Sequence, residues 1–137
     1  MKDAQIPELI NKEMKLECFN PGMVLEGGSI DVNGKGTLLT TEQCLLNKNR
    51  NPRLSKGLIE KYLKKYLGVK NIIWLKKGIT GDDTDGHIDD IARFVNPNTV
   101  LCAYENNKKD ENYPVLKENC EILQRAKDQD GKKIKCN

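Results

Sequence analysis

The stretch Gly81-Asp82-Asp83-Thr84-Asp85-Gly86-His87-Ile88-Asp89-Asp90 holds the chain's single histidine and five aspartates. Glycine, threonine and aspartate in this density mark a polar turn, because each tolerates tight backbone geometry. Ile88, Ile91, Phe94 and Val95 then predict a strand that opens on His87-x-Asp89. Side chains two apart on a strand share a face, so the spacing places His87 and Asp89 together. An imidazole beside a carboxylate is a general acid/base pair, since the carboxylate raises the basicity of the ring and fixes its orientation. Set against this, an acidic turn with a capping histidine commonly has a structural role, and spacing alone favours that plainer reading.

Metal chemistry at this loop is not expected. In a calcium loop Gly86 would take the glycine place, but the first and last ligand positions then fall on Gly81 and Ala92. An iron facial triad requires a second histidine.

The elements that must position this loop fall into two similar runs. Ile6, Leu9, Ile10 and Met14 have helical spacing, with Pro7 near the start, so a helix is predicted over Asp3–Met14. After a turn at Phe19-Asn20-Pro21-Gly22, a strand is predicted over Ser29–Val32. The hairpin signal Asn33-Gly34 and a return strand Thr37–Thr41 follow. Ser55 is a good N-cap for a helix whose apolar stripe is Leu58, Ile59, Tyr62, Leu63, Tyr66 and Leu67, closed by Gly68. Val69–Leu75 is the next strand.

The second run has strands at Ile88–Val95 and Thr99–Tyr104 around Asn96-Pro97-Asn98. A helix over 114–128 carries Val115, Leu116, Asn119, Ile122, Leu123 and Ala126 and ends near Asp130-Gly131. Superimposing the runs at an offset of 63 residues lays Val32-Asn33-Gly34 on Val95-Asn96-Pro97 and Glu26 on Asp89. Agreement of element order and turn position is what an internal repeat shows. The reading is therefore one α/β domain over 1–137, with modules at 20–78 and 79–137. The second is incomplete at its last strand, which begins near Lys133-Ile134-Lys135, and the chain is expected to be truncated there.

Composition narrows the function classes. The 137 residues are 31% charged and 37% hydrophobic, which suits a globular domain. A net charge of +3 spread over helical faces, with few aromatics, argues against a nucleic-acid partner. No apolar run is of membrane-spanning length and the N-terminus has no signal-peptide h-region, so no membrane partner and a cytoplasmic location are expected. The five cysteines, Cys18, Cys44, Cys102, Cys120 and Cys136, contain no C-x-x-C pair. They read as reduced thiols, mostly small core residues.

Several of these runs together resemble a known family. Glu26-Gly27-Gly28-Ser29-Ile30, the run Leu38-Leu39-Thr40-Thr41-Glu42-Gln43-Cys44-Leu45-Leu46-Asn47, then Asn49-Arg50-Asn51-Pro52, and above all Gly86-His87-Ile88-Asp89 resemble the agmatine deiminase / bacterial-type peptidyl-arginine deiminase family. The resemblance covers nearly all the chain after about residue 20. It implies the pentein α/β propeller, built of five ββαβ modules around a central pocket, of which this chain would hold about two. It also implies hydrolysis of a small guanidine substrate, agmatine or an arginine derivative. The products from agmatine would be N-carbamoylputrescine and ammonia, a step of putrescine biosynthesis, with no cofactor.

In the family a cysteine thiolate attacks the guanidinium carbon, ammonia leaves, and water hydrolyses the thiouronium intermediate. By resemblance His87 is the catalytic acid and base, Asp89 binds one guanidinium edge through paired charge-assisted hydrogen bonds, and Asp83 lines the pocket. Glu26 is a pocket candidate, although Gly27-Gly28 beside it equally suggest a turn.

The departures are specific. The family's nucleophile lies in a G-G-G-x-x-H-C motif and its second guanidinium-binding aspartate in W-x-R-D-x-G-P; neither motif occurs here, and Trp74 is followed by Leu75. The chain therefore reads as an internal piece of a longer deiminase, inactive by itself. The alternatives are a non-catalytic guanidinium-binding module and an α/β domain with a structural acidic loop. Sheet edges and faces left uncovered by missing modules predict self-association.

Overall fold

The computed structural model describes residues 5–137, which form two three-stranded sheets and four α-helices. In the first sheet, β1 (Ile30–Val32) runs antiparallel to β2 (Thr37–Thr41), and β3 (Asn71–Leu75) lies parallel on the other side of β2. The second sheet repeats the arrangement, with β4 (Ala92–Asn96) antiparallel to β5 (Thr99–Cys102), and β6 (Lys135–Cys136) parallel to β5. The four helices are α1 (Ile6–Met14), α2 (Glu42–Leu45), α3 (Lys56–Leu67) and α4 (Tyr113–Arg125).

Strand β2 explains the layering. All five of its residues are buried, which requires cover on both sheet faces. Leu38 points into an apolar cluster with Cys44, Leu45, Ile59, Leu63 and Val69, the cluster under α3. Leu39, one residue on, points the other way, into a cluster with Leu75, Ile88, Val100, Leu116 and Leu123. That second cluster takes residues from both sheets and from α4, so one core joins the two halves of the chain. Ser55 caps α3 by accepting a hydrogen bond from Leu58 N, and Gly68 ends it at φ +67°, as the sequence predicts.

Three expectations change. The strand expected at Ile88 begins only at Ala92, because Ile88–Asp90 is a short 3₁₀ turn whose Ile88 and Ile91 plug the core. Period-two reading fails there: the apolar residues are three apart, which fits a turn docking one face. The second helix runs from Tyr113 and stops at Arg125, short of Asp130-Gly131. Among the cysteines only Cys44 is buried; Cys18 is exposed and the other three are half-buried, so the group is not mainly a core set. The α1 expectation started at Asp3, which with Ala4 lies outside the described residues.

Asn119 is the polar tie between α4 and the first sheet. It is fully buried, accepts from Lys76 N at 3.0 Å and donates to Lys77 O at 2.8 Å. Asn119→Ala leaves both backbone groups unpaired and opens a small void. A loss of roughly 2–4 kcal/mol in unfolding free energy is expected, read as a lower urea midpoint at unchanged slope. A midpoint within error of the native chain would contradict it.

Candidate active site

The loop that carries His87 is shaped by its own acids. The Asp82 carboxylate accepts from Thr84 N at 2.7 Å, from Gly86 N at 2.6 Å and from the Thr84 hydroxyl. Burial raises the Asp82 pKa, but these hydrogen bonds outweigh it and hold the carboxyl below the usual range. Asp85 takes a left-handed conformation at φ +61°, which aspartate tolerates. Gly86 follows at φ +83°, and a Cβ there would sit 2.9 Å from Gly78 N, so only glycine fits. Thr41 Oγ1 donates to Gly86 O at 2.6 Å and Gly78 N donates to Gln43 Oε1 at 2.9 Å, pinning the loop to the start of α2.

Arg50 joins this loop to the Glu26 turn. Its Nε and Nη2 meet the two Glu26 oxygens at 2.5 and 2.8 Å, its Nη1 meets Asp85 Oδ2 at 2.8 Å, and Nη2 donates to Thr84 O at 2.9 Å. The guanidinium side chain is only 10% exposed. Hydrogen bonds from Arg50 hold the Glu26 carboxyl below its ordinary range despite partial burial, and hydrogen bonds from Asn49 and Arg50 do the same for Asp85. In return Glu26 pushes the Arg50 pKa up.

His87 sits inside this frame with its side chain 14% exposed. Its Nε2 is 3.5 Å from Glu26 Oε1, too long for a hydrogen bond, and is shielded from solvent without a partner. Nδ1 faces Asp89 Oδ1 at 3.9 Å. The two candidates are thus together, although the turn at Ile88–Asp90, and not a shared strand face, brings them there. Gly28 completes the wall: a Cβ on it would lie 2.5 Å from His87 Nδ1 and 2.8 Å from Asp89 Oδ2. Asp89 is exposed. Asp83 is exposed on the same loop and takes no part in the ion pairs of Arg50.

Two members of the site lie outside the spacing argument. Arg50 enters the sequence reading only within the run Asn49-Arg50-Asn51-Pro52 that carries the resemblance, with no role assigned, since its partners lie 24 and 35 residues away. Cys44, fully buried on α2, brings its sulfur to within 4.8 Å of a Glu26 oxygen and a His87 ring nitrogen. Burial, first, and the carboxylates of Glu26, Asp85 and Asp82 push the Cys44 thiol up to about 11, although Arg50 opposes this.

Comparison with known proteins places this arrangement. The model of the Porphyromonas-type peptidyl-arginine deiminase family matches residues 1–137. An agmatine deiminase of Medicago truncatula is 45% identical over 137 residues, covering 96% of this chain and 37% of that protein. One from Stutzerimonas stutzeri is 50% identical over 113 residues, covering 82% and 31%. Among solved structures, the agmatine deiminase of Enterococcus faecalis superimposes with a TM-score of 0.88 at 38% identity, over 95% of this chain and 36% of that one. A substrate-bound agmatine deiminase variant of C. jejuni gives 0.85 at 41% identity, over 98% and 39%. The chain therefore spans only 31–39% of the length of these matched proteins, and its two sheets have the pentein propeller fold of that part. Among the described residues no helix is long and apolar enough to cross a membrane.

Proposed function

We propose, from the premise that this chain belongs to the Porphyromonas-type peptidyl-arginine deiminase family, that it supplies the proton-transfer side of an agmatine deiminase active site. The observation that carries the reading is His87 Nε2, buried, unpartnered and framed by Glu26, with Nδ1 turned to Asp89. A proton carrier needs a nitrogen not already committed to a structural hydrogen bond. In this reading a thiolate adds to the guanidinium carbon of agmatine, and His87 delivers a proton to the departing ammonia. The neutral imidazole then takes a proton from the water that attacks the thiouronium carbon, restoring the thiolate and releasing N-carbamoylputrescine. Asp89 accepts two N–H bonds from one guanidinium edge. Asp83 stands at the rim, where its exposed carboxylate meets the cationic substrate on entry. Glu26 is a positioning residue: held ionised by Arg50, it keeps a negative charge against the imidazolium form of His87. The domain reading over 1–137, with modules at 20–78 and 79–137, belongs to the same proposal, as does a cytoplasmic location without nucleic-acid or membrane partners.

Cys44 is not the nucleophile of this reading. A nucleophilic thiol needs a lowered pKa and access, and Cys44 has neither. The 137-residue chain should therefore bind agmatine without converting it. Agmatine is expected to shift the His87 imidazole resonances, which are unambiguous in a chain with one histidine, and Asp89→Asn should abolish the shift. No ammonia should be released. Ammonia release lost in both His87→Ala and Cys44→Ser would show that the chain carries its own nucleophile and would overturn the assignment. Absence of any shift would remove the substrate class.

Self-association belongs to the same proposal. Val32, Val95 and Leu101 on the sheets and Ile6, Leu9, Ile10 and Met14 on α1 are exposed apolar residues, and such patches drive association. A monomer mass by light scattering at high concentration would reject it.

A further inference from the structure

We infer that Glu26, Cys44 and His87 form a binding site for a thiophilic divalent cation such as Zn²⁺, set beneath the guanidine pocket. One ligand atom from each residue lies within 4.8 Å of the others. Bond lengths of about 2.0–2.3 Å in a tetrahedral zinc site require ligand atoms roughly 3.4–3.6 Å apart. The His87 Nε2 to Glu26 Oε1 separation is already 3.5 Å, and the Cys44 sulfur lies within 4.8 Å of a ring nitrogen and a carboxylate oxygen of the same two residues.

Three further features point to a cation. His87 Nε2 is buried and has no hydrogen-bond partner, so its lone pair is free for a metal. Nδ1 faces Asp89 Oδ1 at 3.9 Å, beyond hydrogen-bond range but close enough to set a negative charge beside the ring. The carboxylates of Glu26, Asp82 and Asp85 bear on Cys44 and Asp89 lies beside His87, with the Arg50 guanidinium paired to Glu26 and Asp85 among them. Glu26 Oε1 accepts from Arg50 Nη2 at 2.8 Å and retains a second lone pair for the metal. Thiolate with imidazole selects zinc-like ions over magnesium or calcium, which prefer oxygen ligands. On binding, the Cys44 S–H bond breaks, its proton goes to solvent, and the sulfur electron pair passes to the metal; no electron is transferred.

The site itself does not rest on the deiminase reading. Its consequence does, since a metal on Nε2 occupies the atom which that reading uses for proton transfer, and the ion would be an inhibitor and not a cofactor.

The probe is Co²⁺ alone, added to the 137-residue chain kept reduced with a phosphine. One equivalent is expected to give a thiolate-to-cobalt charge-transfer band and visible tetrahedral bands, to broaden the His87 imidazole signals, and to be displaced by Zn²⁺. Cys44→Ala and His87→Asn should each weaken binding by more than the roughly 10- to 100-fold that outer-shell changes cost. A native chain with no charge-transfer band overturns the inference, as does a band that survives in folded Cys44→Ala, which would assign the metal to another thiol. Should Cys44→Ala fail to fold, His87→Asn decides: loss of the band supports the site and its persistence refutes it. Agmatine binding by the metal-free chain is measured separately, so failure of either reading leaves the other standing.

Discussion

Replacing Arg50 by alanine should lower the unfolding free energy of the chain by roughly 2–3 kcal/mol, less than the 3–5 typical of breaking a buried ion pair. The guanidinium is nearly buried and makes four contacts of 2.5–2.9 Å across the Glu26 turn and the Asp85 loop. The discount arises because Glu26 and Asp85 are both more than a third exposed, so water partly replaces the lost partner. Arg50→Lys should recover little, since an ammonium cannot span two carboxylates and a carbonyl with a planar fork. Urea denaturation with both variants is the measurement. A lysine variant as stable as the native chain would show that charge alone, and not the fork, holds the loop. The same substitution should also loosen His87, because Glu26 would no longer be fixed at 3.5 Å from Nε2.

Gly28→Val is expected to have the largest effect on the site. A Cβ at this position meets His87 Nδ1 at 2.5 Å and both Asp89 oxygens at 2.8 and 3.0 Å, and valine adds two methyl groups beyond it. Something must move, and the polar side chains facing Gly28 are the pair that the proposed reaction uses. Overpacking of this kind costs about 1–3 kcal/mol, but the more telling readout is local. Agmatine-induced shifts at His87 should disappear in Gly28→Val while far-UV circular dichroism stays native. Retention of both the stability and the agmatine response would mean that the Gly28 contact does not shape the pocket. The reason for glycine here is close approach and not a left-handed backbone, since Gly28 has no positive φ.

The sequence by itself determined the elements whose signals are local. Thr37–Thr41 is a strand because β-branched and apolar residues follow a turn at Asn33-Gly34, and the observed β2 has those bounds. Helix α3 is bounded by a serine cap and a glycine stop, both local devices, and it too lies where expected. His87 and Asp89 were legible as a pair because they are two residues apart, and the motif around them carried the family resemblance. Their actual meeting depends on a 3₁₀ turn, which the sequence read as a strand, since alternation and three-residue spacing are hard to separate over five residues.

What only the tertiary structure decided is what surrounds that pair. Arg50 reaches Glu26 and Asp85 across 24 and 35 residues, and Gly28 packs against His87 from another segment. Cys44, one apolar residue among many in the sequence, arrives beside Glu26 and His87 because α2 is docked by Thr41 and Gln43. Such contacts have no sequence period. They are set by which faces of β2 are covered and by where the connecting loops must then run, so the charge environment of His87 follows from packing and is legible only in three dimensions.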